Sequence, residues 1–402
     1  MKRFITYNQS IDILDSLTIK PLNTHKVFIS NSLGKVLAEN LVASENSPAF
    51  VTSAMDGYAF RYEDISKGRL KIIDKNPAGS VTKTEVTSGT CIKTFTGSLM
   101  PLSSDTLIPI ENVTVDGEYI NIDTPVPKGF ATRGIGENYK KDEILIKRNT
   151  TIDYACIGVM ASLNIAQVSV YQDIKIAVAS TGSEILDIGQ TQTNDSQIRS
   201  SNHLTMEAIA KSYGAQVLQM GVVKDDKKSI EKLIVDSLDC SDIVVTTGGV
   251  SVGDYDFVKD IIKDKLDCEV LFQGVLIKPG QHLLMAKKEN KFIVALPGFA
   301  YSSTVTFFLY VLPLLFKLKG SNESLDIVDA ILTKDYIKKG NKTTFVSCNL
   351  NYKDGDYYVD FDGKKEGTSA ILTNMLNKSA LMMIEDNKNS LNKGDKVKVI
   401  KL

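Results

Sequence analysis

The stretch that most constrains the fold runs from Val244 to Lys259. Asp242 to Thr247 is mostly β-branched and apolar and reads as a buried strand. Gly248 and Gly249 follow at once, then Val250, Ser251 and Val252, then Gly253. Asp254, Tyr255, Asp256 and Phe257 lead into an amphipathic run through Ile262. The pattern is strand, glycine turn, helix start. Glycine lets the backbone take positive φ and come close to a ligand. The N–H groups of such a turn and of the helix start point outward together and favour an anion. Asp254 and Asp256 would repel a phosphate held there unless a hard cation bridged them, so the pattern implies Mg2+. An ordinary βα turn with Asp254 as a helix cap accounts for the same spacing, because lone glycine motifs are common.

The surroundings of this stretch repeat its logic. From Asp173 onward strands and helices alternate: IKIAVAS is a strand and STGSEI a turn. A polar loop and a helix follow to Tyr213, stopped at Gly214. QVLQMGVV is a strand and DDKKSIEKLIVDSL a helix with a charged outer face. Beyond the glycine turn come LFQGVLIKPG, LLMAK and FIVALPG, then a strongly apolar helix from Tyr301 to Lys319. Strands separated by helices predict a parallel sheet covered on both faces. Such sheets bind ligands beyond the carboxyl ends of their strands. Ser180-Thr181-Gly182 and Gly248-Gly249 both lie just past strand ends, so Thr181, Glu184, Ser251 and Asp256 are expected to converge on one crevice. That convergence favours a ligand site over a plain turn.

The flanks differ in character. Residues 4–17 have helical spacing; residues 18–43 hold a short strand, Lys26 to Ile29, and a helix-like NSLGKVLAEN. Asp56 follows Ser53, Ala54 and Met55 and precedes Gly57 and Tyr58. Small neighbours permit close approach of a ligand or another subunit, while a tight loop capped by Asp56 is the plainer account. Residues 70–130 alternate short β-rich segments with Gly, Pro and Thr, which predicts a small β domain. Within it Thr96 and Gly97 precede a proline-containing loop. Residues 133–146 form a charged loop and 151–163 a helix. Residues 321–402 are again β-like, with NKGDKVKV resembling a hairpin of a small barrel. Lys338 and Lys342 could face an anion, but a solvated basic edge is the preferred account.

Bulk properties narrow the function classes. A chain of 402 residues implies two to four domains. With 47 basic against 48 acidic residues it is no global nucleic-acid binder, and any anion affinity is local. No apolar run is long enough to span a bilayer, and MKRFITYNQSIDIL lacks the features of a signal peptide, so a cytoplasmic, non-membrane protein is expected. The five cysteines are scattered and read as reduced, mostly buried thiols. His25, His203 and His282 are isolated in sequence, which argues against a zinc site or a Ser/His triad.

Together these stretches resemble the molybdopterin molybdenumtransferase family, of the MoeA type and related to the C-terminal region of gephyrin. The resemblance covers essentially the whole chain. SPAFVTSAMDGYAF is similar to the family's P-x-x-x-S-A-M-D-G-Y-A, and TGSLMPLSSDTLIPIE to its T-G-A-x-x-P-x-G-A-D-x-V-x-x-x-E. STGSEI resembles S-T-G-D-E-L, and TTGGVSVGDYDFVK resembles S-G-G-V-S-V-G-x-x-D-x-x-K. LIKPG and ALPG are similar to K-P-G-K and L-P-G-N-P.

The resemblance implies an α/β multidomain fold with a molybdopterin-binding sandwich domain at 173–320 and an inserted β-rich domain at 44–130. It also implies a C-terminal β-barrel at 321–402 and a linker region at 1–43 and 131–172. It implies an elongated homodimer whose active site lies between the α/β domain of one subunit and the inserted domain of the other. The implied reaction is Mg2+-dependent insertion of molybdate into adenylylated molybdopterin with release of AMP. A molybdopterin adenylyltransferase and client molybdoenzymes are the implied partners. Asp56, Glu184, Asp256 and Lys278 are then the candidate catalytic residues, the three carboxylates also as metal ligands. Thr96, Gly97, Thr181, Gly182, Gly248, Gly249, Ser251, Gly253, Pro297 and Gly298 would contact the pterin substrate. The chain departs from the family at Asn138, Ser183, Gln281, Phe299 and Ala300, and loses charge at Asn138 and Gln281. These departures keep two alternatives open: a tungstate-using variant, and a non-catalytic molybdopterin-binding scaffold. The adenylyltransferase step alone is disfavoured by the additional domains.

Overall fold

The structure, a computed structural model, describes residues 4–19, 23–250, 257–365, 369–377 and 379–402. The chain folds as two compact units: residues 1–38, 149–154 and 167–402 form one, and residues 39–148 and 155–166 the other.

The first unit is organised on a six-stranded sheet. Its strands are β1 (Lys175–Thr181), β2 (Gln216–Val223), β3 (Ile243–Thr247), β4 (Glu269–Gln273), β5 (Leu284–Lys288) and β6 (Lys291–Leu296), in the order β2-β1-β3-β6-β5-β4. The first four in that order are parallel, as the alternation predicts. β5 alone is reversed, pairing antiparallel with both β6 and β4, and only Glu289 and Asn290 join it to β6. Two residues make a hairpin, whereas a parallel crossover needs a dozen or more; Glu289 takes φ +56° in that turn.

Side chains of a strand alternate between faces, and here both faces are apolar. Ile243 and Val245 of β3 join Ile176, Val178, Phe292 and Val294 in a core shared with Met206 and Ala210 of α1 (Asn202–Ser212). Val244 points the other way, with Ile293 and Ala295, onto Ile230, Ile234 and Leu238 of α2 (Lys227–Cys240). Asp226 caps α2 by accepting from the Ser229 N–H at 2.9 Å, a bond of the kind worth about 1 kcal/mol.

The helix that follows β6, α3 (Ala300–Leu318), is 19 residues long and 89% of it is buried. It is long and apolar enough to cross a membrane, contrary to the expectation that no such run exists, but its apolar surface is taken up by the core of its own unit. A π turn at Phe307–Val311 lies just before Pro313. Proline frees a carbonyl one turn back and is met by such local adjustments.

After α3, five strands close into a barrel. Thr343–Lys353 pairs with Asp356–Asp360, that strand with Ile327–Leu332, then Lys396–Lys401, then Ala380–Ile384, which returns to Thr343–Lys353. Ala330, Leu332, Cys348, Val359, Met382 and Val399 fill it. Lys338 is not on a solvated edge. It is buried, and its Nζ donates to the carbonyls of Lys342, Glu385 and Asp386 at 3.3, 2.7 and 2.9 Å. Burial pushes its pKa down.

At the N-terminus, Thr6 and Gln9 form a capping box on the helix Tyr7–Ser16. Thr24–Phe28 pairs antiparallel with Gln167–Tyr171. The helix-like NSLGKVLAEN does not form a helix. Gly34 turns the chain at φ +76°, and Val36 and Leu37 then form bridges to Thr151 and Val170. Long-range backbone pairing outweighs a spacing of apolar residues that suited a helix.

The second unit holds a six-stranded sheet in the order Thr106–Pro109, Gly57–Phe60, Thr90–Thr94, Arg69–Asn76, Tyr119–Ile122, Val113–Asp116. Tyr58, Phe60, Leu70, Cys91, Ile108 and Ile120 form its core. Two short pairs, Leu41–Val42 with Ile144–Ile146 and Thr52–Ser53 with Thr132–Arg133, complete its β structure. None of the five cysteines forms a disulfide; Cys91, Cys268 and Cys348 are buried and Cys240 is exposed.

Candidate functional site

Three turns meet at the carboxyl ends of β1, β3 and β6. The Gly248 N–H donates to the Leu296 carbonyl at 3.1 Å, and Thr181 Oγ1 donates to the Thr247 carbonyl at 3.3 Å. Gly248 has φ +95°, and a Cβ there would stand 2.6 Å from the Thr181 carbonyl oxygen. Gly249 has φ +66°, and its Cβ would stand 2.7 Å from Val258 Cγ2. The glycines are therefore required twice over, by conformation and by the closeness of the neighbouring turn. A Cβ on Gly298 would lie 3.7 Å from Gly248 Cα, which brings Pro297-Gly298 beside the same turn. Asn202 Nδ2, at the start of α1, donates to the Gly298 carbonyl at 2.8 Å.

The sequence-predicted residues Thr181, Gly182, Gly248, Gly249, Pro297 and Gly298 thus come together. Glu184 belongs to the same place. Both its carboxylate oxygens lie 3.1 Å from the position a Gly182 Cβ would take, and its carbonyl accepts from the Ile198 N–H at 2.9 Å. Among the described residues the N–H groups of Ser183, Glu184, Gly249 and Val250 have no acceptor. Backbone N–H groups left open at strand ends are donors for an anion. Ser251, Gly253 and Asp256 lie outside the described residues. Lys278 sits on a different, exposed turn and has no hydrogen bond to these three turns.

One feature of this end of the sheet was not expected. His203, isolated in sequence, is buried and bonded on both sides. Its Nδ1 is 2.7 Å from Ser200 Oγ and its Nε2 is 3.3 Å from Asp187 Oδ1. Ser200 Oγ donates to Ser180 Oγ at 3.1 Å, and Thr247 Oγ1 reaches the same oxygen at 3.1 Å. The expectation against a Ser/His arrangement is corrected in geometry, though Ser200 is buried and turned into the sheet end rather than toward solvent. The chain of hydroxyls ties the turn after β1 to the turn after β3. Ser200 and His203 are three residues apart across a helix start, and that spacing was the only sequence signal for the contact. Asp225, at the end of the fourth parallel strand, was read as part of a charged helix face; its N–H instead donates to Ser183 Oγ at 3.3 Å.

Asp56 belongs to the second unit, as do Thr96 and Gly97. Gly57 lets this segment lie against its neighbour, since a Cβ there would stand 2.2 Å from the Ile108 carbonyl oxygen. Thr96 N–H and Oγ1 both donate to Asp56 Oδ1, at 2.8 and 2.7 Å. The Thr96 hydroxyl, then its N–H, with Lys93 a lesser cause, hold the Asp56 carboxyl below the usual range. Asp56 is therefore not capping its own backbone in a plain loop; it is an exposed carboxylate fixed by a threonine forty residues away. The Gly97 N–H donates to the Ser53 carbonyl at 2.8 Å and ties the two segments together. Asn138 Nδ2 makes a long contact of 3.4 Å to Ser47 Oγ in the same unit.

Glu184 and Thr181 in the first unit, and separately Asp56 in the second, offer hard oxygen atoms of the kind Mg2+ takes. No group of three or more metal-binding side chains forms among the described residues.

Taken together, the molecule is an α/β protein in which three turns meet at the strand ends, joined in one chain to a closed β-barrel and a separate β-rich unit. Family models match in series: the MoeA N-terminal region (domains I and II) at residues 5–164, a probable molybdopterin-binding domain at 177–317, and the MoeA C-terminal region (domain IV) at 329–402. The chain belongs to the MoeA family. It is 30% identical over 380 residues to a molybdopterin molybdenumtransferase of Nostoc sp., covering 92% of this chain and 86% of the relative. The enzyme of that name from Haemophilus influenzae is 29% identical over 94% of each chain. The crystal structure of a molybdopterin biosynthesis MoeA protein from Pyrococcus horikoshii superposes with a TM-score of 0.83 at 27% identity, covering 99% of this chain and all of that one.

Proposed function

We propose that this chain is a molybdopterin molybdenumtransferase of molybdenum cofactor biosynthesis. It inserts molybdate into the dithiolene of adenylylated molybdopterin and releases AMP. The observation that carries this reading is the meeting of three strand-end turns, with open N–H donors beside Glu184. A pyrophosphate needs such donors, and it fits where backbones approach too closely for any side chain. Thr181, Gly182, Gly248, Gly249, Pro297 and Gly298 form the cradle, with Ser251, Gly253 and Asp256 extending it in sequence. Lys278 adds a point charge for an oxyanion.

Asp56 is held ionised by Thr96 and serves to orient the attacking group; Glu184 has the same role at the crevice. Mg2+, when bound, supplies neutralisation of the phosphate charge through carboxylate oxygens. The sulfur ligands of the metal product come from the pterin, so the protein's thiols are not needed. Cysteines without disulfides fit a reducing, cytoplasmic setting. The active form is a homodimer, which receives its substrate from an adenylyltransferase and passes cofactor to client molybdoenzymes. The same reading divides the chain at 44–130, 173–320 and 321–402.

The test is turnover of purified protein with adenylylated molybdopterin, Mg2+ and either molybdate or tungstate, following AMP. Oxyanion-dependent AMP release supports the proposal, and the preferred oxyanion identifies the metal. Pterin binding without AMP release under either oxyanion refutes it in favour of a scaffold.

A further inference from the structure

The turn carrying Lys278 receives a second cation from the barrel. Strand Ile277–Lys278 leaves the sheet region and pairs parallel with Thr343 and Thr344, the first residues of the barrel strand Thr343–Lys353. The Thr343 N–H donates to the Leu276 carbonyl at 3.2 Å and fixes the register. Lys342, one residue earlier, is thereby delivered to the turn Lys278-Pro279-Gly280-Gln281. Its Nζ donates to Gln281 Oε1.

The turn that receives it is rigid. Val275 N–H donates to the Gln281 carbonyl at 3.0 Å. Gly280, at φ +94°, is pressed on α3 so closely that a Cβ would stand 2.3 Å from Thr306 Cγ2. Gln281 Nε2 is 2.8 Å from His282 Nε2, and the His282 ring packs edge-on against Phe4 with centroids 5.7 Å apart. The Gln281 amide is thus gripped at its nitrogen end, and its oxygen end is fixed toward Lys342.

An ammonium has three N–H donors. Gln281 takes one from Lys342 and leaves the others for a ligand. Neither Lys342 nor Lys278 forms an ion pair among the described residues. Lys338, only four residues away, shows the alternative: it donates to three carbonyls and has nothing left to offer. Two cations without counter-charge, one of them bracketed by a neutral amide on a fixed turn, are arranged to hold an anion.

We propose that Lys342 is a specificity-determining residue that, with Lys278, binds the tetrahedral oxyanion of the reaction, and that Gln281 positions it. This rests on the transferase reading above. The charge that a lysine at position 281 would carry on the turn itself is here supplied from the barrel, across the pairing of Ile277–Lys278 with Thr343 and Thr344.

The experiment compares Lys342→Gln, Lys342→Arg and the double variant Gln281→Lys/Lys342→Gln in the AMP-release assay, varying molybdate and pterin substrate separately. Lys342→Gln should raise the KM for molybdate by roughly 10- to 100-fold, the range for losing a charge-assisted hydrogen bond. The pterin KM and the melting temperature should stay unchanged. Lys342→Arg should retain most of the affinity, and the double variant should regain it because the charge returns to the same turn. An unchanged molybdate KM in a folded Lys342→Gln protein overturns the inference while leaving the transferase reading intact. So does a double variant no better than the single one. Absence of AMP release by the unmodified protein overturns both.

Discussion

The two units offer carboxylates by different means. In the first, the site is made by backbone: Gly248 lies against Thr181, and Gly249 against Val258, at distances that exclude a Cβ, and Glu184 rides on the turn beside them. In the second, Asp56 is exposed and owes its setting to hydrogen bonds from one residue, Thr96. The first arrangement is sensitive to added atoms and the second to removed ones. A backbone site is rigid because filling it costs packing; a side-chain site is tunable because one hydroxyl sets the charge.

Substitutions that probe each kind of construction separate the two. The largest effect is expected for Gly248→Val. A β-branched residue at φ +95°, with its Cβ 2.6 Å from the Thr181 carbonyl, should lose about 3 kcal/mol or more of stability, read by denaturant unfolding; a stability equal to the parent would show that the turn can relax and break the contrast. Asp56→Ala should leave the melting temperature within a few degrees and lower AMP release by roughly 100-fold or more. A fall in melting temperature as large as that of Gly248→Val would place Asp56 in the structural class.

Thr96→Val acts more finely. It removes the hydroxyl donor and keeps the N–H. The Asp56 carboxyl in the folded protein lies below its usual range, so the stabilisation of its charged form is present above that range and is lost as pH falls through the lowered value. In Thr96→Val the loss should begin at higher pH, and the acid limb of the pH–activity profile should move up; an NMR titration of the carboxyl that does not move sinks this account. The smallest effect is expected for Phe299→Asn. Phe299 occupies the N-cap of α3 without a side-chain hydrogen bond and is exposed. A short polar residue there should add about 0.5–1 kcal/mol, seen as a modest rise in melting temperature.

Much of the first unit was legible because strand period and glycine turns are local signals. Thr181 and Gly248, sixty-seven residues apart, were placed together by the rule that strand ends line one edge, and the contact between them is direct. The antiparallel edge was less legible, since the positive φ of its two-residue turn falls on Glu289 and not on a Gly, Asn or Asp that would signal a hairpin. NSLGKVLAEN misled because its apolar spacing suits a helix, while its pairing partners, Thr151 and Val170, lie more than a hundred residues on. His203 and Lys338 were misjudged for a common reason. A polar side chain in a sequence does not announce which oxygen it will meet: Asp187 reaches His203, and the carbonyls of Glu385 and Asp386 reach Lys338, from other segments. The Asp56–Thr96 bond was hidden in the same way, although both residues were singled out.

The buried helix α3 bears on how the chain is made. Synthesis proceeds from the N-terminus, so the strands that cover one side of this helix, residues 175–296, leave the ribosome before it does. Phe345, Leu381 and Ile400, which complete its coat, come last. Between those moments a nascent chain displays a segment that translocation machinery and chaperones read as greasy, with only half its cover in place. A chain cut short before residue 327 would keep that surface permanently open, so premature termination in this protein should yield an insoluble product rather than a working α/β fragment.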